Sequence, residues 1–317
     1  MSRFLRLAAV LLVPACVDLP ATSATESNIV GGTIAHTSVY QTVVALEAGP
    51  GQWFCTGTLI APEWILTAAH CVEGETAPGI KIRFDDDNVN NTSGGTEVAV
   101  AEVHAHPGYD GVAWDNDIAL IKLAAPQTDR TPTPIHRAIA APGTSMIQVG
   151  FGSTDDADNG AGILHELTTT SIDCTVTADA TISGANVVCF DQRDGNGTCY
   201  GDSGGPSFVD VGGSLEVAAI TSGGTVESCL DGFDIQTAVA GELEFIDMVM
   251  GNAPDPTDPT DPDPTDPDPT TPDPTDPDND KAAEGGGCSA GGSAGLLIGL
   301  VGLKMRRRRC RSQRRSI

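Results

Sequence analysis

Short apolar runs rich in Val, Ile, Leu and Thr recur through the middle of the chain, each stopped by Gly, Pro, Asp or Asn. Residues 42–46, 64–68, 80–84, 97–103, 118–123, 145–151, 186–190 and 215–222 are examples. Runs of this length and composition between turn formers read as strands. A helical period appears only at the end of the region, where Leu243, Ile246, Val249 and Met250 share one helical face within residues 241–250. Short strands repeated over roughly 220 residues predict an all-β fold of paired barrels, because one small barrel needs less chain.

The pattern fails at both ends. Arg3 and Arg6 precede an apolar run over residues 7–15, the charge-then-apolar order of an export signal and too short for a membrane span. Residues 1–24 are therefore read as that signal and 25–28 as a short propeptide. Two exits are open: lipidation at Cys16 after Val13-Pro14-Ala15, or ordinary cleavage after Thr22-Ser23-Ala24. Residues 251–284 form a spacer whose segment 253–280 holds ten prolines and ten aspartates. Proline fixes φ and removes donors, and like charges repel, so this segment is expected to be extended, reaching roughly 80 Å at ~3.1 Å per residue. Residues 285–317 carry Gly287-Cys288 and Gly291-Gly292-Ser293, an apolar stretch, then Lys304 and seven arginines. That order resembles the C-terminal sorting tails of Gram-negative surface proteins, with either small-residue motif as the sorting signal. The resemblance implies transient membrane anchoring and a sorting machinery that removes the tail.

Charge excludes one class of function. The chain has 43 acidic and 17 basic side chains, and residues 29–250 hold 30 acids against six bases. Nucleic acid is not an expected partner, since phosphate binding needs clustered Lys and Arg. Of nine cysteines, Cys16, Cys288 and Cys310 lie in the terminal segments. The remaining six, in an exported chain, read as three disulfides, with fifteen pairings open. No CxxC pair suggests zinc, and no cofactor or metal is expected. The acids Asp85-Asp86-Asp87 before Asn88 read as a solvated turn, with a calcium loop as the alternative.

Three local patterns carry chemistry. Thr67-Ala68-Ala69-His70-Cys71 puts a histidine just after a strand. Asp115-Asn116-Asp117-Ile118-Ala119-Leu120 opens a strand with an acid. Gly201-Asp202-Ser203-Gly204-Gly205-Pro206 puts a serine in a glycine-rich turn. A serine nucleophile needs a base to take its proton and an acid to hold that base in one tautomer. The turn can also aim the amides of Gly201 and Ser203 at one spot, where an oxyanion would develop. His36, His104, His106, His136 and His165 lack such contexts and are expected at the surface.

With Ile29-Val30-Gly31-Gly32 these motifs resemble the chymotrypsin/trypsin family of serine endopeptidases over residues 29–250. The resemblance implies two perpendicular six-stranded antiparallel barrels, a cleft between them and a short C-terminal helix. It implies a triad of His70, Asp117 and Ser203, and the pairings Cys55–Cys71, Cys174–Cys189 and Cys199–Cys229. It implies protein or peptide substrates and a zymogen, in which an activating protease frees Ile29 to pair with Asp202. Asn28 departs from the basic residue usual before that cut, so a trypsin-like activator is not expected. The specificity pocket also departs, with Gly197 in place of trypsin's acid and Ser222-Gly223-Gly224 lacking the usual Trp. One alignment puts Asp234 on the far wall, as in crustacean collagenolytic members, and implies broad cleavage that includes Arg and Lys. Another puts Gly232 there and leaves Asp234 outside a neutral pocket. Two other classes compete: an inactive relative that binds partners, which usually lacks a triad residue, and a surface structural protein, which leaves the triad unexplained.

Overall fold

The computed structural model describes residues 29–251 except Ala113, Ala180, Thr181, residues 183–185 and Leu230. The chain divides between Pro254 and Asp255, and every described residue lies in the first unit. The export signal, propeptide, spacer and sorting tail lie outside the described residues.

Among the described residues thirteen strands form two antiparallel sheets. In chain order they are β1 (Thr33–Ile34), β2 (Val43–Glu47), β3 (Trp53–Ala61), β4 (Trp64–Thr67), β5 (Lys81–Phe84), β6 (Thr96–Ala105), β7 (Ala119–Leu123), β8 (Ser145–Gly150), β9 (His165–Thr170), β10 (Val187–Asp191), β11 (Pro206–Val211), β12 (Ser214–Gly224) and β13 (Phe233–Ala238). The first sheet is a closed six-stranded barrel, β2-β3-β4-β7-β6-β5. Its interior holds Val44, Leu46, Leu59, Ile65, Ile82 and Ile121, all buried. The second sheet has seven strands in the order β1-β9-β8-β11-β12-β13-β10. A lone bridge from Ile172 to Cys189 joins the chain after β9 to β10, so its six longer strands approach closure and β1 is added outside β9. The expected paired architecture is present, with the second member a seven-stranded sheet.

The strands form where apolar and polar positions alternate or where a run is wholly buried. β6 alternates, with Val98 and Val100 buried between exposed Glu97, Ala99 and Ala101, whereas all five residues of β2 are buried. The expected C-terminal helix is α1 (Leu243–Met250), preceded by a 3-10 turn and ended by Gly251 at φ 73°. It buries Phe245 and Ile246. Among the described residues no helix is long and apolar enough to cross a membrane.

One expectation fails clearly. His165, expected at the surface, is 0% exposed at the start of β9, between Gly150 of β8 and Ile34 of β1. The period-two alternation of a strand turns Glu166 outward and His165 inward, so a polar-looking segment contributes to the core. Of the other histidines, His36 is exposed, while His104, His106 and His136 are half-buried.

Candidate active site

Strand pairing brings the first two motifs together. β4 and β7 are neighbours, with Thr67 opposite Ala119. The chain leaving β4 and the chain entering β7 therefore run side by side, and His70 meets Asp117. Asp117 Oδ1 accepts from the His70 backbone N–H at 2.9 Å, and its Oδ2 lies 2.7 Å from His70 Nδ1. Burial alone would push the Asp117 carboxyl up. Hydrogen bonds from His70 and Ser222, with the attraction of the His70 ring, hold it below the usual carboxylate range. An ionised carboxylate at Nδ1 makes Nδ1 the protonated nitrogen and leaves Nε2 with a free lone pair.

The second sheet fastens this acid. Ser222 Oγ donates to Asp117 Oδ2 at 2.5 Å, and Thr237 Oγ1 donates to the Asp117 carbonyl at 3.0 Å. Asp117 thus belongs by sequence to the first barrel and by hydrogen bonding to both sheets.

The serine turn is clamped in the same way. The Thr56 N–H of β3 donates to the Ser203 carbonyl at 2.9 Å, and the Gly204 N–H donates to the Thr221 carbonyl of β12 at 2.8 Å. Gly204 has φ +75°, and a Cβ there would lie 2.1 Å from Thr67 Oγ1. Only glycine accepts both the left-handed backbone and that approach. Cys71 Sγ lies 3.7 Å from His70 Nε2 and 3.6 Å from the Ser203 carbonyl oxygen, so one sulfur touches both motifs. Among the described residues the disulfides are Cys55–Cys71, Cys174–Cys189 and Cys199–Cys229, as the resemblance implied. The two groups of potential metal-ligand atoms among the described residues both include sulfurs of these disulfides, which offer no thiolate.

Gly201 and Asp202 precede the serine. Asp202 is buried and accepts from the N–H of Gly152 at 2.7 Å and of Cys199 at 2.9 Å. Its carboxyl is pushed up to about 7, by burial first and by the nearby Asp234 charge, against those two hydrogen bonds. Ile29 is buried, and Val30 bridges Gly197, whose N–H donates to the Val30 carbonyl at 2.9 Å. The acids of the 85–87 run have protein partners: Asp85 pairs with Arg130, Asp86 accepts from the Asn88 N–H, and Asp87 accepts from Thr37 and meets His36.

Beside Ser203 opens a cavity of about 460 Å³. Ser222 and Gly224 line it, and Gly197 and Asp234 do not. Asp234 is 1% exposed and is held by Gln148 Nε2 at 3.0 Å and Gln236 Nε2 at 2.8 Å. Asp234 is therefore buried behind the residues that line the cavity. Two lining or flanking residues escaped the sequence reading. Gln192 lines the cavity although no motif contains it. Trp114 comes from the loop before Asp117 and stands where the pocket wall lacks its usual Trp: a Cβ on Gly223 would lie 3.2 Å from the Trp114 ring. The ring also packs with Val187, Cys189, Phe233 and Ile235 of the second sheet. Its place three residues before Asp117 was the one available signal.

The model of the trypsin family matches residues 29–246. Trypsin from Xenopus laevis is 33% identical over 202 residues, 60% of this chain and 80% of that protein. Brachyurin from Leptuca pugilator is 32% identical over 239 residues, 67% of this chain and 100% of that protein. Chymotrypsin-like elastase family member 1 from Homo sapiens is 31% identical over 220 residues, 65% of this chain and 83% of that protein. The matched segment is the one that carries both sheets and the cleft, and on that ground the chain belongs to the trypsin family of serine endopeptidases.

Proposed function

We propose that residues 29–250 hydrolyse peptide bonds with Ser203 as nucleophile, His70 as general base and Asp117 as the acid that orients it. The observation that carries the reading is the His70 Nδ1–Asp117 Oδ2 contact at 2.7 Å, which leaves Nε2 unprotonated beside Cys71 Sγ, the sulfur that also meets the Ser203 carbonyl. Ser203 Oγ attacks the substrate carbonyl carbon while its proton passes to His70 Nε2. Negative charge then gathers on the carbonyl oxygen, where the N–H groups of Gly201 and Ser203 stabilise it. His70 returns the proton to the leaving amine, an acyl-enzyme remains, and water attacks it by the same sequence with His70 again as base. The seryl oxygen leaves as its proton returns from His70, and the carboxylic acid departs.

The same reading makes the chain a zymogen. A cut after Asn28 frees the Ile29 amine, and an ammonium beside Asp202 supplies the cation that a buried carboxylate needs. An activator that accepts asparagine before the cut does this. Three disulfides and the N-terminal segment support export, and the terminal motifs support display at the outer surface of a Gram-negative cell or release from it. Protein and peptide substrates, the activator and the export and sorting machinery are the expected partners.

Labelling with a serine-directed phosphonylating probe tests the reading. The processed protein should label and hydrolyse peptides, and Ser203→Ala should do neither. Equal hydrolysis by Ser203→Ala overturns it.

A further inference from the structure

The cavity beside Ser203 ends on an amide rather than on an acid. Gln192 is buried, and its Nε2 donates to the Thr198 carbonyl at 2.7 Å. Its side chain lies against Gly197: a Cβ on that glycine would sit 2.3 Å from Gln192 Nε2 and 2.5 Å from its Cγ. The Oε1 end points toward Gly224, 3.9 Å from where a Cβ on that glycine would stand. Gln192 therefore fills the space that the two glycines leave.

Glu227 lines the cavity as an exposed carboxylate, whereas Asp234 is the buried acid of the neighbouring strand. It faces Gly224 across the β12–β13 pair, yet it does not line the cavity. Gln148 and Gln236 occupy one of its oxygens, and burial pushes its carboxyl up to about 6. A cationic side chain entering the cavity would have to shed water against the neutral Gln192 amide without reaching the acid behind it, which is unfavourable. The side walls are suited to apolar groups, since Val226 and the Cys199–Cys229 disulfide line them.

We infer that Gln192 determines the primary specificity of this protease: its amide closes the cavity in front of Asp234, so cleavage follows large uncharged side chains such as Leu, Phe and Tyr and excludes Arg and Lys. The inference rests on the hydrolase reading above and extends it to the substrate class. It also explains how a chain with an acid at position 234 differs from one in which that acid meets the substrate.

The test compares the processed protein with Gln192→Ala, Gln192→Met and Gln192→Ala/Asp234→Asn. Each is assayed on fluorogenic peptides that differ only in Leu, Phe or Arg before the cleaved bond. The parent protein should cut the Arg peptide with kcat/KM at least about 100-fold below that for Phe. Truncating the side chain in Gln192→Ala should raise the Arg value about 10-fold or more relative to Phe, and the double variant should lose that gain. Gln192→Met keeps the volume without the amide and should still exclude Arg, which guards against a misfolded alanine variant. A preference for Arg in the parent protein overturns the inference, as does an Arg-to-Phe ratio unmoved in Gln192→Ala or a gain that survives Asp234→Asn. Active-site labelling separates the two levels: if Ser203 labels and Phe is cleaved but the ratio does not move, only the role of Gln192 falls. If Ser203 does not label in any form, the hydrolase reading falls with it.

Discussion

His165 makes the acid side of the stability profile predictable. Its ring is 0% exposed, and neither nitrogen has a hydrogen-bond partner among the described residues. Burial lowers its pKa to about 4. The folded state keeps the ring neutral down to that pH, whereas the unfolded chain takes up a proton near the ordinary value of about 6.5. Below about 6.5 the unfolded state therefore binds more protons, and stability falls as pH falls until both states are protonated near 4. At about 1.4 kcal/mol per pH unit, the whole interval is worth about 3 kcal/mol. For a domain of this size that is about 6–12 °C in Tm. Asp202 and Asp234 act with the opposite sign. Their carboxyls are raised to about 7 and about 6 in the fold, so the native state binds their protons first and gains stability as pH falls toward about 4. Comparing the protein with His165→Leu cancels these contributions, and placing both in a Ser203→Ala background prevents self-digestion. Thermal unfolding from pH 7.5 to 4 should show the two profiles separating below about pH 6.5, with the histidine form losing more. Profiles that stay parallel would refute the assignment of His165 as a buried neutral ring.

Three further outcomes follow from the site geometry. Asp117→Asn should fold and keep its Tm within a few degrees but lose about 10⁴-fold in kcat on a peptide substrate, because the amide no longer fixes the His70 tautomer. Gly204→Ala should cost about 2–4 kcal/mol in denaturant unfolding, from a left-handed alanine and from the collision with Thr67; a change below about 1 kcal/mol contradicts the turn geometry. A chain beginning at Ile29 should be active and one retaining residues 25–28 weak, while equal activity in hydrolysis assays would remove the Ile29–Asp202 pairing from the activation step.

The parts legible in the sequence were those where local pattern and tertiary role coincide. The runs at 64–68 and 118–123 became β4 and β7 within two residues of their bounds, and the motifs at their ends became the His70–Asp117 pair. β3, β9, β11 and β13 were not among the runs read. β3 has Gly57 at its centre, β9 carries three threonines, β11 opens on Pro206, and β13 had been read only as the rear wall of the pocket. Tertiary burial, not local preference, makes strands of such segments. Specificity was the least legible feature. Asp234 could be aligned two ways, and its burial with Gln148 and Gln236 on one oxygen, off the cavity lining, is a matter of tertiary packing that no local pattern carries.

The double anchoring of Asp117 imposes a chronology. Its carboxylate, already held by His70, takes a further partner in Ser222 and its carbonyl takes one in Thr237, which enters the chain 120 residues after the acid itself. A chain that has emerged only as far as Ser203 carries His70, Asp117 and the serine and already has β8, β9 and β10, yet it lacks β12 to hold the serine turn and the Ser222 and Thr237 hydroxyls that fasten the acid to the second sheet. On the proposed reading, hydrolytic competence therefore arrives last, with the final strand.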